Sequence, residues 1–138
     1  MGRLNGKVAL VIGATSGIGK ATAALFAKEG AKVIFTGRRE EAGKKVEEEL
    51  AAQGGQVEFF RCDATVENEC KALVDHVVEK YGRIDILHNN AGILIDGDFL
   101  NIDLEKNFDR TINTNLRSQI MTIQLVLPVM LKQKSGSV

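Results

Sequence analysis

Short apolar runs alternate with longer amphipathic stretches from residue 7 to residue 88, and this alternation restricts the possible folds more than any other feature. The apolar runs cover residues 7–12, 32–36, 56–60 and 84–88, and their length and their Val, Ile and Phe content are typical of buried parallel strands. The stretches between them, residues 17–29, 39–52 and 66–81, repeat apolar residues at helical spacing, and each is followed by glycine. The pattern therefore predicts an α/β fold, a Rossmann-like parallel sheet with helices on both faces, joined by right-handed crossovers.

The last part of the chain follows a different pattern. A loop over residues 91–103 leads into a long helical stretch at about residues 104–132, where Pro128 is expected to kink the helix or to end its regular hydrogen bonding. The final Ser-Gly-Ser-Val, residues 135–138, is typical of a helix stop followed by the first residue of a fifth strand. We therefore predict one domain over residues 1–138, with a sheet truncated near the start of its fifth strand and so incomplete at the C-terminus.

Composition and charge exclude several classes of protein. Lys plus Arg and Asp plus Glu number 18 each, so no overall field attracts nucleic acid or an acidic membrane. No window approaches the roughly 20 apolar residues that span a bilayer, and the polar residues 1–6 do not form a signal peptide. Cys62 and Cys70 have no CxxC partner and no histidine at metal-ligand spacing, so they are most simply free thiols in a reducing compartment. We expect a cytoplasmic protein with no nucleic-acid, membrane or metal partner.

A glycine-rich turn directly follows the first predicted strand. It reads Gly-Ala-Thr-Ser-Gly-Ile-Gly over residues 13–19. Glycines permit positive φ and let the backbone approach a ligand closely. The helix predicted to begin there presents unpaired N–H groups and the positive end of its dipole. The turn therefore predicts a site for the pyrophosphate of a dinucleotide, and the alternative is a turn that needs glycine only for its own backbone.

The spacing of these glycines, G-x-x-x-G-x-G, differs from the common G-x-G-x-x-G fingerprint and resembles the short-chain dehydrogenase/reductase family. Three further segments resemble the family in order and spacing: Asp63-Ala64, Asn-Asn-Ala-Gly over residues 89–92, and Asn115 in the long helix. The resemblance implies that the chain is the family's N-terminal cofactor-binding half, with Asp63 contacting the adenine amine. The implied cofactor-binding residues are Gly13, Thr15, Ser16, Gly17, Ile18, Gly19, Arg38, Arg39, Asp63, Ala64, Asn90, Ala91 and Gly92. One departure is Ile12, where the family often has a threonine whose hydroxyl supports the turn.

The end of the second predicted strand bears on which nicotinamide cofactor is used. A carboxylate there would hold both ribose hydroxyls and repel a 2′-phosphate, but that place falls at Gly37, followed by Arg38 and Arg39. The planar, permanently charged guanidinium suits phosphate, so NADP is favoured over NAD. Two observations keep NAD open. The arginines could simply be solvated residues of a charged helix, and Ser16 stands where NADP users of the family often carry a basic residue.

The resemblance also implies a catalytic group made of a serine, a tyrosine four residues before a lysine, and an asparagine that holds a proton-relay water. Only the asparagine, Asn115, has a match. The single tyrosine, Tyr81, is followed four residues later by Asp85 and is expected to pack or to end a helix. The two histidines, His76 and His88, are expected to be solvent-facing and packed respectively, rather than catalytic. We therefore expect this chain alone to be inactive.

Two functions remain open at this point. The first is an NAD(P)-dependent oxidoreductase that transfers a hydride between nicotinamide and a small-molecule secondary alcohol or ketone, represented here by its cofactor-binding half. The second is a non-catalytic dinucleotide-binding module, a sensor or an assembly partner. A homo-oligomer is expected because the open sheet edge and the apolar face of the long helix both need cover.

Overall fold

The computed structural model describes residues 2–138 of the chain. Its centre is a parallel sheet of four strands in the order β3-β2-β1-β4. The strands are β1 (Val8–Ile12), β2 (Lys32–Gly37), β3 (Gln56–Arg61) and β4 (Ile86–Asn89). Every residue of β1 is buried, because the strand lies between two neighbours and beneath helices on both faces. The predicted Rossmann-like sheet is confirmed, with strand ends shifted by one or two residues.

Helices cover both faces of the sheet, and successive strand residues point to opposite faces. The helices after the first three strands are α1 (Gly17–Lys28), α2 (Glu40–Ala52) and α3 (Glu67–Tyr81). One core contains Val11 and Phe35 together with residues of α1 and α2. The other contains Leu10 and Ile34 with residues of α3 and of the long helix that follows β4. This two-sided burial explains why the strands read as continuous apolar runs rather than as alternating ones.

The long helix (residues 104–133) is not regular throughout. It opens with π-helical turns at Leu104–Asp109, passes through Arg110–Ile112, and has a second π-helical segment at Asn113–Arg117 before the regular α-helix Ser118–Gln133. A π-turn accommodates an extra residue in the helical repeat and is frequent at functional sites. Periodicity gave the extent of this helix to within one residue but carried no signal for the π-turns.

Pro128 lies inside the helix and does not end it. The helix continues through Pro128 to Gln133 and stops at Lys134, whose φ is 57°. Proline deprives the carbonyl four residues earlier of its donor. Gln124 and Pro128 are both exposed, so this carbonyl lies on the solvent side, where water can replace the missing N–H.

The residues just before β4 are buried but do not belong to the strand. Ile84 is fully buried, but its N–H donates to Oε1 of Gln133 at 2.9 Å, and its carbonyl accepts from Nε2 of the same side chain at 3.0 Å. Strand pairing begins only at Ile86. Sequence reasoning took the apolar Ile84 as strand, whereas its hydrophobicity reflects burial alone.

The segment predicted to begin a fifth strand pairs with the sheet through an isolated bridge. Ser137 forms a parallel bridge with Ile86 on the edge of the sheet that β4 would otherwise leave open. The N–H of Leu87 donates to the Ser137 carbonyl, and the N–H of Ser137 donates to the Asp85 carbonyl, each at 2.9 Å.

Candidate functional site

A cleft of about 910 Å³ opens at the carboxyl ends of the four strands. This is where ligands bind in open parallel sheets. The predicted site residues that line it are Gly13, Thr15, Ser16, Gly17, Ile18, Arg38, Arg39, Asp63, Ala64, Asn90, Ala91 and Gly92. Two predicted residues, Gly19 and Asn115, do not line the cleft. The structure thus brings twelve of the fourteen together around one space.

The glycine turn joins β1 to α1 and has the backbone expected of an anion site. Gly13 and Gly17 have φ values of 78° and 56°, in the left-handed region that side chains disfavour. Helix α1 begins at Gly17, so its first N–H groups have no partner inside the helix and point toward the cleft. The first turn of α1 carries no acidic residue that would repel an anion. The arrangement fits a phosphate group.

Gly19 supports the turn from below rather than facing the cleft. A Cβ at this position would overlap the carbonyl oxygen of Gly13 and come within 2.6 Å of Nδ2 of Asn90. That Nδ2 donates to the same Gly13 carbonyl at 2.8 Å, and the N–H of Asn90 donates to the carbonyl of Ile12 at 3.1 Å. Gly19 and Asn90 therefore fix the position of the first glycine.

Thr36, at the end of β2, is a turn residue that sequence reasoning missed. Its Oγ1 accepts from the N–H of Gly13 at 3.2 Å, and its carbonyl accepts from the N–H of Ala14 at 2.8 Å. Although Ile12 offers no hydroxyl beside the first glycine, Thr36 supplies one from the neighbouring strand. The only sequence signal was a hydroxyl residue, now 1% exposed, at the end of an apolar run.

Gly37 and Thr15 touch at the mouth of the cleft. A Cβ on Gly37 would overlap Cγ2 of Thr15. Residue 37 is the position at which a carboxylate would bind the ribose hydroxyls of NAD, so the Thr15 side chain leaves no room for an Asp or Glu there. The next residues, Arg38 and Arg39, are exposed and line the same end of the cleft. The carbonyl of Arg38 accepts from Nε of Arg61 at 3.3 Å, which fixes its backbone and leaves its guanidinium free to turn.

Asp63 follows β3 and presents a carboxylate to the cleft. Its Oδ1 accepts from the N–H of Thr65 at 2.9 Å and from the Thr65 hydroxyl at 2.7 Å. Burial works to raise the pKa of this carboxyl, but the two hydrogen bonds from Thr65 and the charges of Arg38 and Arg61 outweigh it, so the pKa of Asp63 lies below its usual value. Asp63 is therefore ionised at neutral pH, with no hydrogen bond to Oδ2 from residues 2–138.

Asn115 lies in the second π-helical segment and holds the loop after β4. Its Oδ1 accepts from the N–H of Ile93, and its Nδ2 donates to the Ile93 carbonyl, both at 2.7 Å. Ile93 itself lines the cleft. The Asn115 amide thus fixes the backbone of Ile93, which borders the cleft, although Asn115 itself does not line the cleft.

A family model described as short chain dehydrogenase matches residues 7–138. The chain belongs to the short-chain dehydrogenase family. It is 43% identical over 136 residues to the 3-oxoacyl-acyl-carrier-protein reductase FabG of Thermotoga maritima, covering 99% of this chain and 55% of that protein. The chain spans about half the length of the curated relatives that it matches.

Solved structures agree with this assignment. A hydroxysteroid dehydrogenase from Escherichia coli superposes with a TM-score of 0.92 at 40% identity, covering 97% of this chain and 56% of that one. An actinorhodin polyketide ketoreductase, solved with NADPH, superposes with a TM-score of 0.92 at 36% identity, covering 99% of this chain and 52% of that one.

The long helix adds three residues to the cleft that were not among the predicted site residues: Arg110, Asn113 and Thr114. They lie three and four positions apart and so share one side of the helix. Asn113 and Thr114 directly precede Asn115 in the segment by which that residue was identified, and this is a signal that could have found them. Arg110 is exposed and brings a third arginine to the cleft.

The two histidines and the tyrosine lie away from the cleft. His76 contacts Oε1 of Glu58 at 2.6 Å, which corrects the expectation of a purely solvent-facing side chain. His88 packs edge-on against Phe26, with ring centroids 6.3 Å apart. Tyr81 ends α3 and packs against the second core, as expected.

No helix within residues 2–138 is long and apolar enough to cross a membrane. Within the same range, no group of three or more His, Cys, Asp or Glu side chains lies close enough to hold a metal ion.

Proposed function

We propose that this chain is the cofactor-binding half of an NAD(P)-dependent oxidoreductase that transfers a hydride between nicotinamide and a secondary alcohol or ketone. The observation that carries the proposal is the N-terminus of α1, which opens onto the 910 Å³ cleft through Gly13 and Gly17 at positive φ. Backbone N–H groups, a favourable helix dipole and an absence of side chains suit a pyrophosphate. Family membership supports the reaction class.

The charged groups around the turn support an orientation for the dinucleotide. Oδ2 of Asp63 receives no hydrogen bond from the described residues, so it can accept one from the adenine amine. Ser16, Ile18 and the N–H groups of α1 surround the pyrophosphate. Asn90, Ala91 and Gly92, after β4, then border the nicotinamide side of the cleft. A bound nicotinamide supplies the hydride donor or acceptor.

NADP is the favoured cofactor. A carboxylate that would bind the ribose hydroxyls of NAD has no room at residue 37 unless Thr15 moves. Arg38 and Arg39 offer two guanidinium groups at the same end of the cleft, and a 2′-phosphate pairs well with such groups.

Asn115 is proposed as the catalytic-group member that this chain contributes. Its amide sets the position of the Ile93 carbonyl, an acceptor that can hold a proton-relay water beside the cleft. The chain alone has no tyrosine followed four residues later by lysine. We therefore expect it to bind dinucleotide without turning over substrate.

A homo-oligomer is proposed for the whole protein. Large apolar side chains are exposed at every fourth position along the long helix: Leu104, Phe108, Ile112, Leu116 and Ile120. An exposed apolar stripe of this kind is typical of an interface. We also propose that the protein works in the cytoplasm, since its two cysteines are free thiols. Nucleic-acid and membrane partners are not expected, since its formal net charge is zero.

The proposal is tested by titrating the 138-residue chain with NADPH and NADH while following nicotinamide fluorescence, and then by assaying turnover with a panel of ketones. Saturable binding that is tighter for NADPH, together with no turnover, is the expected result. Absence of binding to both dinucleotides overturns the proposal. Turnover by the chain alone contradicts the assignment of catalysis to residues outside it. If a longer protein that contains this chain binds dinucleotide but lacks activity on every carbonyl, the non-catalytic module is favoured instead.

A further inference from the structure

The chain has only two cysteines, Cys62 and Cys70, and their sulfur atoms face each other behind the cleft. The two Sγ atoms are 3.9 Å apart, and both residues are free and buried, at 2% and 0% exposed. Cys62 follows β3 directly, whereas Cys70 lies in the first turn of α3. Cys62 lines the cleft beside Asp63, and Cys70 lies behind it.

The two thiols are not equivalent. Hydrogen bonding to Cys70, burial and the nearby carboxylates together raise the pKa of Cys62 well above its usual value. The hydrogen bond shared with Cys62 lowers the pKa of Cys70 and outweighs burial and the charges of Asp63 and Glu69, which raise it. Cys70 also lies close to the positive end of α3, which favours an anion. Either sulfur can donate the hydrogen bond that the pair shares, and Cys70 Sγ also lies 3.5 Å from the carbonyl oxygen of Ala64. Of the two thiols, Cys70 has the lower pKa and is the one expected to react first.

We propose that Cys62 and Cys70 form a dithiol site that peroxide oxidises to a disulfide. The disulfide lowers the affinity of the cleft for a dinucleotide, and a bound dinucleotide disfavours the disulfide. The disulfide itself depends only on the geometry of the two sulfurs. The opposition to the dinucleotide rests on the proposed function of the cleft.

The oxidation balances with hydrogen peroxide as the oxidant. The Cys70 thiolate attacks one peroxide oxygen, the O–O bond breaks, and hydroxide leaves and takes a proton from solvent to become water. The Cys62 sulfur then attacks the sulfenic sulfur of Cys70, the S–O bond breaks, and the second water leaves with the Cys62 proton. Two thiols lose two electrons in total, and one peroxide is reduced to two waters.

Closure of the disulfide must disturb the cleft. An S–S bond is about 2.05 Å long, so the sulfurs must approach by about 1.9 Å from their separation of 3.9 Å. The closed ring spans residues 62–70 and includes Asp63 and Thr65, whose hydrogen bonds set the carboxylate in the cleft. Dinucleotide affinity is therefore expected to fall, by about fivefold or more for a coupling of ordinary size. By reciprocity, a bound dinucleotide disfavours the disulfide to the same extent.

The test treats the 138-residue chain with hydrogen peroxide and measures intact mass and alkylatable thiols after unfolding. The expected product is a monomer lighter by two hydrogens with both thiols blocked. In Cys62→Ser the hydroxyl still donates to Cys70, so a sulfenic acid trapped by dimedone is expected at residue 70. In Cys70→Ser the remaining thiol keeps its burial and its neighbouring carboxylates, both of which raise the pKa of Cys62, so it is expected to react several times more slowly.

Adenosine 2′,5′-bisphosphate and nicotinamide mononucleotide then separate the two ends of the cleft. The first is expected to slow oxidation because it covers Asp63 and Cys62, and the second is not. Thiols that stay alkylatable, or disulfides that form only between chains, overturn the dithiol site. If NADPH binds but does not slow oxidation, the opposition is wrong. If NADPH does not bind while the disulfide forms, the proposed function fails and the dithiol site stands.

Discussion

The two ends of the parallel sheet are held together by different chemistry. At the carboxyl ends, neutral contacts fix the backbone that borders the cleft, since Thr36 and Asn90 hold Gly13 and Asn115 holds Ile93. The ion pair at this end, Arg61 with Glu69, joins β3 to α3 instead. At the amino ends, charged side chains pair with one another, as Arg83 does with Asp85 and Arg3 with Glu29.

The difference indicates which charges serve the fold and which remain available for a ligand. Arg38, Arg39 and Arg110 line the cleft, and none of them forms an ion pair with a residue in the range 2–138. An ion pair at the cleft would have to be broken before a phosphate could bind. Substitutions at the two ends should therefore separate stability from cofactor affinity.

The largest loss of stability is expected at the amino end, in Asp85→Ala. This carboxylate is 5% exposed and accepts from the N–H of Val8 at 2.9 Å and from Nε of Arg83 at 2.8 Å. Its removal leaves a buried donor unpaired, so unfolding free energy should fall by about 2–4 kcal/mol. Urea denaturation measures the effect. The matched cleft variant, Asp63→Ala, should lose less stability but more NADPH affinity, and equal stability losses would contradict the comparison.

The same carboxylate makes the amino end sensitive to acid. Hydrogen bonds from Arg83 outweigh burial, and with the Val8 N–H and nearby positive charge they lower the pKa of Asp85 below its usual value. A lowered pKa contributes stability that is complete above the unfolded-state pKa, about 3.9, and is lost as pH falls through the folded value. Stability should therefore decline below about pH 4. In Asp85→Asn the unfolding free energy should decline less steeply as the pH falls below about 4. If the slope is unchanged, other carboxyl groups cause the decline.

Gly19→Ala is expected to have the next largest effect, now on the cleft. Because the added Cβ would overlap the Gly13 carbonyl, the turn must shift, at a cost of about 1–3 kcal/mol. The first glycine then moves away from its phosphate-binding position, so NADPH affinity should fall with stability. The control is Gly82→Ala at the other end of the sheet, where φ is 70° but the added Cβ meets no atom within 4 Å. That variant should lose about 1 kcal/mol of stability and no affinity.

Arg38→Ala should affect one cofactor more than the other. Loss of a guanidinium from the 2′-phosphate should weaken NADPH binding by about 1–2 kcal/mol, roughly five- to thirtyfold, and NADH binding little. Fluorescence titration of both cofactors measures the ratio. Arg3→Ala removes the same charge at the amino end and should leave both affinities unchanged. Equal losses for NADPH and NADH would place Arg38 outside the phosphate contact and weaken the preference for NADP.

The sequence predicted the parts of this structure that depend on local patterns. Strand and helix positions follow from periodicity, and the turn at Gly13 follows from glycines placed between a strand and a helix. Contacts between residues far apart in the chain leave no local pattern in the sequence from which they could be predicted. The Thr36 hydroxyl reaches Gly13 across 23 positions, and Asn115 reaches Ile93 across 22. The resemblance identifies Asn115 as a site residue. Its position behind the cleft, however, depends on a π-turn that periodicity does not reveal.

The smallest effect is expected from Thr36→Val, which tests that long-range contact directly. Valine keeps the shape of the side chain but cannot accept from the N–H of Gly13, so one buried hydrogen bond is lost, worth about 1 kcal/mol. NADPH affinity should fall by a similar amount because the freed N–H no longer fixes the turn. Thr36→Ser keeps the hydroxyl and should retain most of the affinity while losing the packing of one methyl group. If serine and valine weaken binding equally, the methyl contact rather than the hydroxyl positions the turn, and the carboxyl end depends on packing as much as on neutral hydrogen bonds.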